Sequence, residues 1–191
     1  AIGTNASADS DGALALGDGA KAGWLENYEG NTGNDTERAN GTYFHKAPNS
    51  IAIGSSAKAI GNSASIAIGA SSVSNKEKSL ALGYQATATG KQSVALGASS
   101  QATAIYAIAI GCQAAATSDG SIAIGKNAEA TGQGIAIGQS AEVLQSAQSG
   151  MAIGDSAKAG AQNAYAIGRD AEATKGESIA IGHQAKARGQ A

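Results

Sequence analysis

The sequence predicts an all-β fold, a parallel β-roll or solenoid built from two-strand rungs about fourteen residues long. Three observations predict it. A glycine recurs at nearly fixed spacing, large and small residues alternate ahead of it, and bulky aromatic residues are scarce. The 191 residues include 27 Gly but one Pro, one Phe and one Trp. Aromatic side chains bury the largest areas in ordinary cores, so a chain this poor in them is expected to repeat a thin core many times.

The period is the primary signal. The anchoring glycines are Gly3, Gly17, Gly54, Gly69, Gly83, Gly97, Gly111, Gly125, Gly138, Gly154, Gly168 and Gly182. Seven of the eleven gaps between them are 14, and the others are 37, 15, 13 and 16. The residue before each glycine is Ile or Leu, and the one before that is always Ala. Three before stands a large apolar residue such as Leu14, Ile51, Val94, Met151 or Tyr165, and four before stands Ser, Ala or Gly. Alternation with period two marks a strand with two different faces. The side chains three and five past the glycine are Ala or Ser except Val143, whereas the position between them is free, as in Lys58, Gln101, Glu142 and Lys158. That is a second strand, small residues inward and polar residues outward. The glycine allows the sharp turn between the two.

The expected rung therefore places Ile and Leu pairs of the first strand inward, against small residues of the second. The Ala column of the first strand (Ala52, Ala67, Ala81, Ala95, Ala109, Ala123) is then left facing outward. A solvated face would carry charges, so this small face is expected to pack closely on other copies of the chain. A single roll is marginal without that contact. Length variation is confined to the turn after the second strand, which holds three residues at 131–133, five at 60–64 and six at 144–149.

Thirteen basic and 15 acidic residues leave a formal net charge of −2. That balance excludes the basic face expected of a nucleic-acid binder. No apolar run reaches the length of a membrane-spanning helix. The chain opens inside a repeat, at Ala1-Ile2-Gly3, as expected of a piece of a longer protein. A single cysteine, Cys112, allows no internal disulfide and no cysteine-based metal site; a small buried or turn thiol is expected. Asp9-Ser10-Asp11-Gly12 has the opening of a calcium loop without its later Glu. His45 and His183 are far apart in sequence. Neither metal nor cofactor is expected.

Two segments carry a family resemblance. Residues 49–56, Asn49-Ser50-Ile51-Ala52-Ile53-Gly54-Ser55-Ser56, and residues 92–100, with Ser93, Ser99 and Ser100 around Val94-Ala95-Leu96-Gly97, resemble the NSVAIGxxS repeat of YadA-like heads. These are heads of trimeric autotransporter adhesins on Gram-negative bacteria. The resemblance covers nearly all of the chain apart from residues 23–49. It implies a left-handed parallel β-roll in each of three identical chains, forming a homotrimer. It also implies attachment to host extracellular matrix, of the collagen, fibronectin or laminin class, or to a host cell receptor. The repeat positions Asn49, Ser50, Ser93, Ser99 and Ser100 become candidate matrix contacts. The first copy departs at Ala57 and the second at Gln92 and Leu96. The whole chain, 1–191, is expected to be one head of twelve repeats. A neck, stalk and outer-membrane anchor belong to sequence beyond it, and no enzymatic activity is implied.

The 27 residues at 23–49 interrupt the pattern and hold four of the seven aromatic residues. Trp24, Tyr28, Tyr43 and Phe44 are candidate ligand contacts, since aromatics dominate binding hot spots; they could equally cover the roll or grip a neighbouring chain. Asn40-Gly41 is a plausible hairpin turn. A purely structural spacer is the main alternative function. A left-handed β-helix acyltransferase requires a six-residue period, which fourteen does not fit. An ice-binding face needs paired Thr columns, but beside Thr89, Thr103, Thr117 and Thr131 the sequence reads Thr87, Gln101, Ala115 and Glu129.

Overall fold

A computed structural model describes residues 1–23, 35–37, 43–45, 48–61 and 63–189. The chain divides into two compact units, Ala1–Gln92 and Ser93–Ala191. In the first unit, the strands Leu14–Leu16, Ile51–Ile53, Ile66–Ile68 and Leu80–Leu82 pair in parallel, and Ile2 bridges to Leu16 ahead of them. The strands Ser7–Ala8, Lys21–Ala22, Lys58–Ala59, Val73–Ser74 and Thr87–Ala88 form a second parallel sheet. The second unit repeats the plan. Its first strands run from Val94–Leu96 to Ile179–Ile181, and its second strands from Gln101–Ala102 to Lys186–Ala187. Register is strict: Ile108, Ala109 and Ile110 lie opposite Ile122, Ala123 and Ile124. No helix occurs among the described residues. Each unit is thus the parallel β-solenoid that the period predicts.

The faces of the first strand are the reverse of those expected. Ala52, Ala67, Ala81, Ala95, Ala109 and Ala123 are fully buried inside the chain's own roll. The flanking Ile and Leu residues point outward: none is buried, and Leu14, Leu82, Leu96, Ile137 and Ile179 are frankly exposed. The Ala column therefore cannot be the surface that meets another chain. The physical reason lies in the second strand, whose inward Ala57, Ala59, Ala114 and Ala116 are also fully buried. With small side chains on both inner faces, two short sheets can approach closely and leave no gap for Ile. The largest fully buried side chain is Val143, followed by a set of serines.

Those serines satisfy their hydroxyls locally, as buried polar groups must. Ser100 Oγ donates to the Gly97 carbonyl at 2.9 Å, and Ser121 Oγ to the Ser118 carbonyl at 2.6 Å. Ser50 and Ser65 share a hydrogen bond of 3.0 Å. The anchoring glycines are required twice over. Gly54 has φ of +127°, and a Cβ there would lie 2.6 Å from the carbonyl carbon of Gly69 on the next rung.

The variable edge absorbs irregularity in compensating pairs. The short turn at 131–133 stacks on the long one at 144–149, where Val143 replaces the usual small residue. A Cβ on Gly134 would sit 2.8 Å from Val143 Cγ1, so the glycine makes room for the larger side chain. Ala147, from the long turn, is fully buried beneath it. The large excursion is tolerated in the same way. Leu14 pairs with Ile51 and Lys21 with Lys58, so the ladders run past it unbroken. The Asn49 N–H donates to the Asp11 carbonyl at 2.9 Å where the chain re-enters. Within the excursion, Asp35–Glu37 and Tyr43–His45 form an antiparallel hairpin. Asn40-Gly41 falls between those strands, outside the described residues.

A core of methyl groups has no room for a branched residue, and overpacking a tight interior is costly. Ala109→Leu is expected to lower stability by about 3 kcal/mol or more. Ile110→Val, on the outer face, should cost about 1 kcal/mol or less. Thermal unfolding followed by circular dichroism measures both.

Candidate functional site

The fold offers four surfaces for recognition. One is the outer face of the first strands, the second is the outer face of the second strands, and the others are the two turn edges. On the first, rows of Ile and Leu stack at the spacing of neighbouring strands, about 4.8 Å. Soluble monomers seldom leave so long an apolar stripe uncovered.

The second surface carries charge. In the second unit Glu142, Lys158, Glu172 and Lys186 stand in register on successive rungs. They alternate in sign on one face, as the sequence pattern implies. Lys158 Nζ donates to Glu142 Oε2 at 2.7 Å. Arg188 reaches Glu172 Oε2 at 2.8 Å, with Lys186 farther off at 3.9 Å. The Arg188 hydrogen bond is the main reason the Glu172 carboxyl titrates below the ordinary range, with the charges of Arg188, Lys186 and Lys158 adding to it. Lys158, Glu172 and Lys186 line an open, shallow groove of about 480 Å³ with Ser156, Asp170 and Gln184. On the variable edge of the first unit, Glu77 bonds Lys91 at 2.8 Å and Lys78 at 3.2 Å, and hydrogen bonds from those two ammonium groups lower its carboxyl.

The fixed turn edge follows the glycine and holds a cluster that sequence reasoning missed. Arg169 and His183, one residue past successive glycines, lie 2.7 Å apart between Arg169 Nη2 and His183 Nε2, with Asp170 beside both. Only the fourteen-residue spacing of the two positions hints at the contact. Cys112 stands on the same edge as an exposed free thiol, the turn position rather than the buried one.

The repeat candidates divide sharply. Ser50, Ser93 and Ser100 are fully buried, so they cannot touch a matrix ligand; their place in the motif is structural. Asn49 is exposed and Ser99 half-buried, and both have positive φ, +59° and +56°. The asparagine of the motif thus fills a left-handed turn position that suits it. Of the insert candidates, Tyr43 and Phe44 lie in the hairpin strand, opposite Glu37 and Thr36 in register. Trp24 and Tyr28 lie outside the described residues. Sequence reasoning also missed Ile105 and Tyr106, exposed together on the variable edge of the second unit. Among the described residues no helix is long and apolar enough to cross a membrane, and no group of His, Cys, Asp or Glu could hold a metal ion.

Comparison with known proteins agrees with the repeat. A family model described as the YadA head domain repeat matches residues 1–20 and 46–72, then overlapping stretches from 63 to 141 and from 146 to 190. Among solved structures, the chain is similar to the collagen-binding domain of the Yersinia adhesin YadA, at 32% identity and a TM-score of 0.59. The match covers 76% of this chain and 72% of that one. No curated protein sequence matches.

Glu172 provides a pH test of the charged face. Its folded pKa is depressed, so the attraction to Arg188 is complete at neutral pH and lost as pH falls through the folded value. Arg188→Gln should move the Glu172 titration up toward the ordinary carboxylate value, and Lys186→Gln should move it less. Carboxyl-carbon NMR titration separates the two.

Proposed function

The chain belongs to the YadA head family, and from that premise we propose that it is an adhesive head on a bacterial surface that attaches to host extracellular matrix. The adhesin role belongs to the family; the ligand class is the further step. The observation that carries it is the likeness to a collagen-binding domain over three quarters of the chain. A rigid roll suits the task, since many fixed surface positions are displayed at little conformational cost. Gly83 and Gly97 stand fourteen residues apart, the same spacing as within each unit, and we read residues 1–191 as one head.

The head works as a homotrimer in this reading. The contact between chains is the Ile and Leu face of the first strands, not the Ala column. Half-exposed Ile and Leu each gain about 1–2 kcal/mol when covered fully, and rungs repeat the gain along the roll. In this reading the head is displayed at the bacterial outer membrane. Asn49, Ser99 and the insert aromatics Trp24, Tyr28, Tyr43 and Phe44 remain the candidate ligand contacts. Three copies of a weak contact gain through avidity.

Two measurements test this reading. Binding of the full chain to immobilised collagens, fibronectin and laminin is expected to give a signal with at least one of them; silence on all three, with the fold intact, contradicts matrix attachment. Replacing residues 26–46 by a four-residue turn should leave the roll folded, because the ladders already run past that point. Matrix binding is expected to fall in the shortened chain. Unchanged binding would move the ligand contact from the insert to the rungs.

A further inference from the structure

Three rungs of the second unit hold a groove that neither the packing of the roll nor the proposed trimer uses. It lies on the outer face of the second strands, the side of each rung away from the Ile and Leu face, and opens to solvent with a volume of about 480 Å³. One wall is the turn column Ser156, Asp170 and Gln184. These residues have φ of +55°, +56° and +57°, and each N–H donates to a carbonyl of the rung before at 2.8 Å. Their side chains therefore leave the backbone in one direction, at the strand spacing of about 4.8 Å. The other wall is Lys158, Glu172 and Lys186, in strand register. Between the walls lies Ala171, whose side chain is fully buried, so the floor presents no apolar surface.

The two walls form a fixed grid of polar groups, and several have hydrogen-bonding capacity left over. Among the described residues the Gln184 side-chain amide makes no hydrogen bond. Asp170 stands 3.7 Å from Arg169 and 3.8 Å from His183, beyond hydrogen-bond reach. Lys186 is 3.9 Å from Glu172, whose short bond goes to Arg188 at 2.8 Å. The charges also restrict what can enter. Two carboxylates on the middle rung oppose an anion, and an ammonium group on the rung either side opposes a cation. An aromatic or aliphatic ligand finds nothing to cover. What fits is an uncharged molecule dense in hydroxyls: carboxylate and amide oxygens accept from them, and ammonium and amide N–H groups donate to them.

We propose that this groove binds a neutral saccharide, with the hydroxyls of a pyranose ring lying across the Asp170 and Gln184 wall and reaching Lys186. The site goes beyond matrix attachment and does not depend on it, since the ligand is a sugar chain and not a protein surface. One groove binds weakly, because each hydrogen bond to a hydroxyl replaces one to water. A polysaccharide repeats its unit, so several chains can engage it together and gain through avidity.

The experiment measures binding of the full chain to surfaces coated with mannan, dextran or galactan, with heparin as the polyanion for comparison. The parent is expected to bind at least one of the three neutral glycans, with a signal that persists from low salt to about 0.5 M salt. Gln184→Ser and Asp170→Ser place in the turn column the residue it already carries at Ser140 and Ser156. Both should keep the parent's melting temperature within a few degrees, and each should bind about three- to tenfold more weakly. Glu129→Gln, on the same face outside the groove, should bind as the parent does. A parent that binds none of the three neutral glycans overturns the proposal. Binding to heparin alone, or binding abolished by salt, overturns the neutral class and assigns recognition to charge. Folded Ser variants that bind as tightly as the parent overturn this groove as the site.

Discussion

The rest of this chain follows from an interior lined, Val143 apart, by nothing larger than Ala or Ser. The two inner faces of every rung carry those residues, and the sheets close until methyl groups touch. Turns between such closely spaced strands must be very tight. Hence the glycine with φ near +130° and, two residues later, a second residue with positive φ. The approach from rung to rung leaves no space for a Cβ at Gly17 or Gly54, whose nearest neighbours are backbone atoms at 2.6 Å. The invariance of Ala-[Ile/Leu]-Gly is this packing written in sequence. Where one rung departs, with Val143, a glycine opposite it and a lengthened turn accommodate the extra methyl groups.

So small an interior leaves most of the apolar bulk outside. The Ile and Leu of the first strands carry far more buriable area than the Ala beneath them, and within one chain they stay half exposed. Burial scales with apolar area, so in the proposed trimer covering that stripe adds to the stability of the roll. Stability and association are in this sense one property. The other surfaces are free of that duty. The second strands are left to display polar and charged residues in files, and the variable edge can carry excursions without disturbing the ladders.

Much of this was legible in the sequence. The period gave the rungs, the alternation gave both strands, and the turn lengths gave the one tolerant edge. The outward column that holds Lys58, Gln101, Glu142 and Lys158 followed from the register alone. What the pattern left undecided is which face of the first strand is inside, because alternation is the same from either side. The general rule that large apolar residues go inward pointed the wrong way. The deciding constraint was already present in the small residues of the second strand, which set how near the sheets come. Ser50, Ser93 and Ser100 are candidates through the resemblance alone, and burial removes them: the Ser100 hydroxyl donates to the Gly97 carbonyl and the Ser50 hydroxyl shares a hydrogen bond with that of Ser65. Contacts between rungs such as Arg169 with His183 depend on side-chain geometry that the spacing does not encode.

The central claim is that a methyl-lined roll is completed by burying its Ile and Leu face against other copies. Its most direct test is thermal unfolding of the full chain across a hundredfold range of concentration, with light scattering at each. The account predicts a trimer whose melting temperature falls on dilution, with loss of β-structure and loss of association coinciding. A folded monomer at micromolar concentration, melting at a temperature independent of dilution, would contradict it.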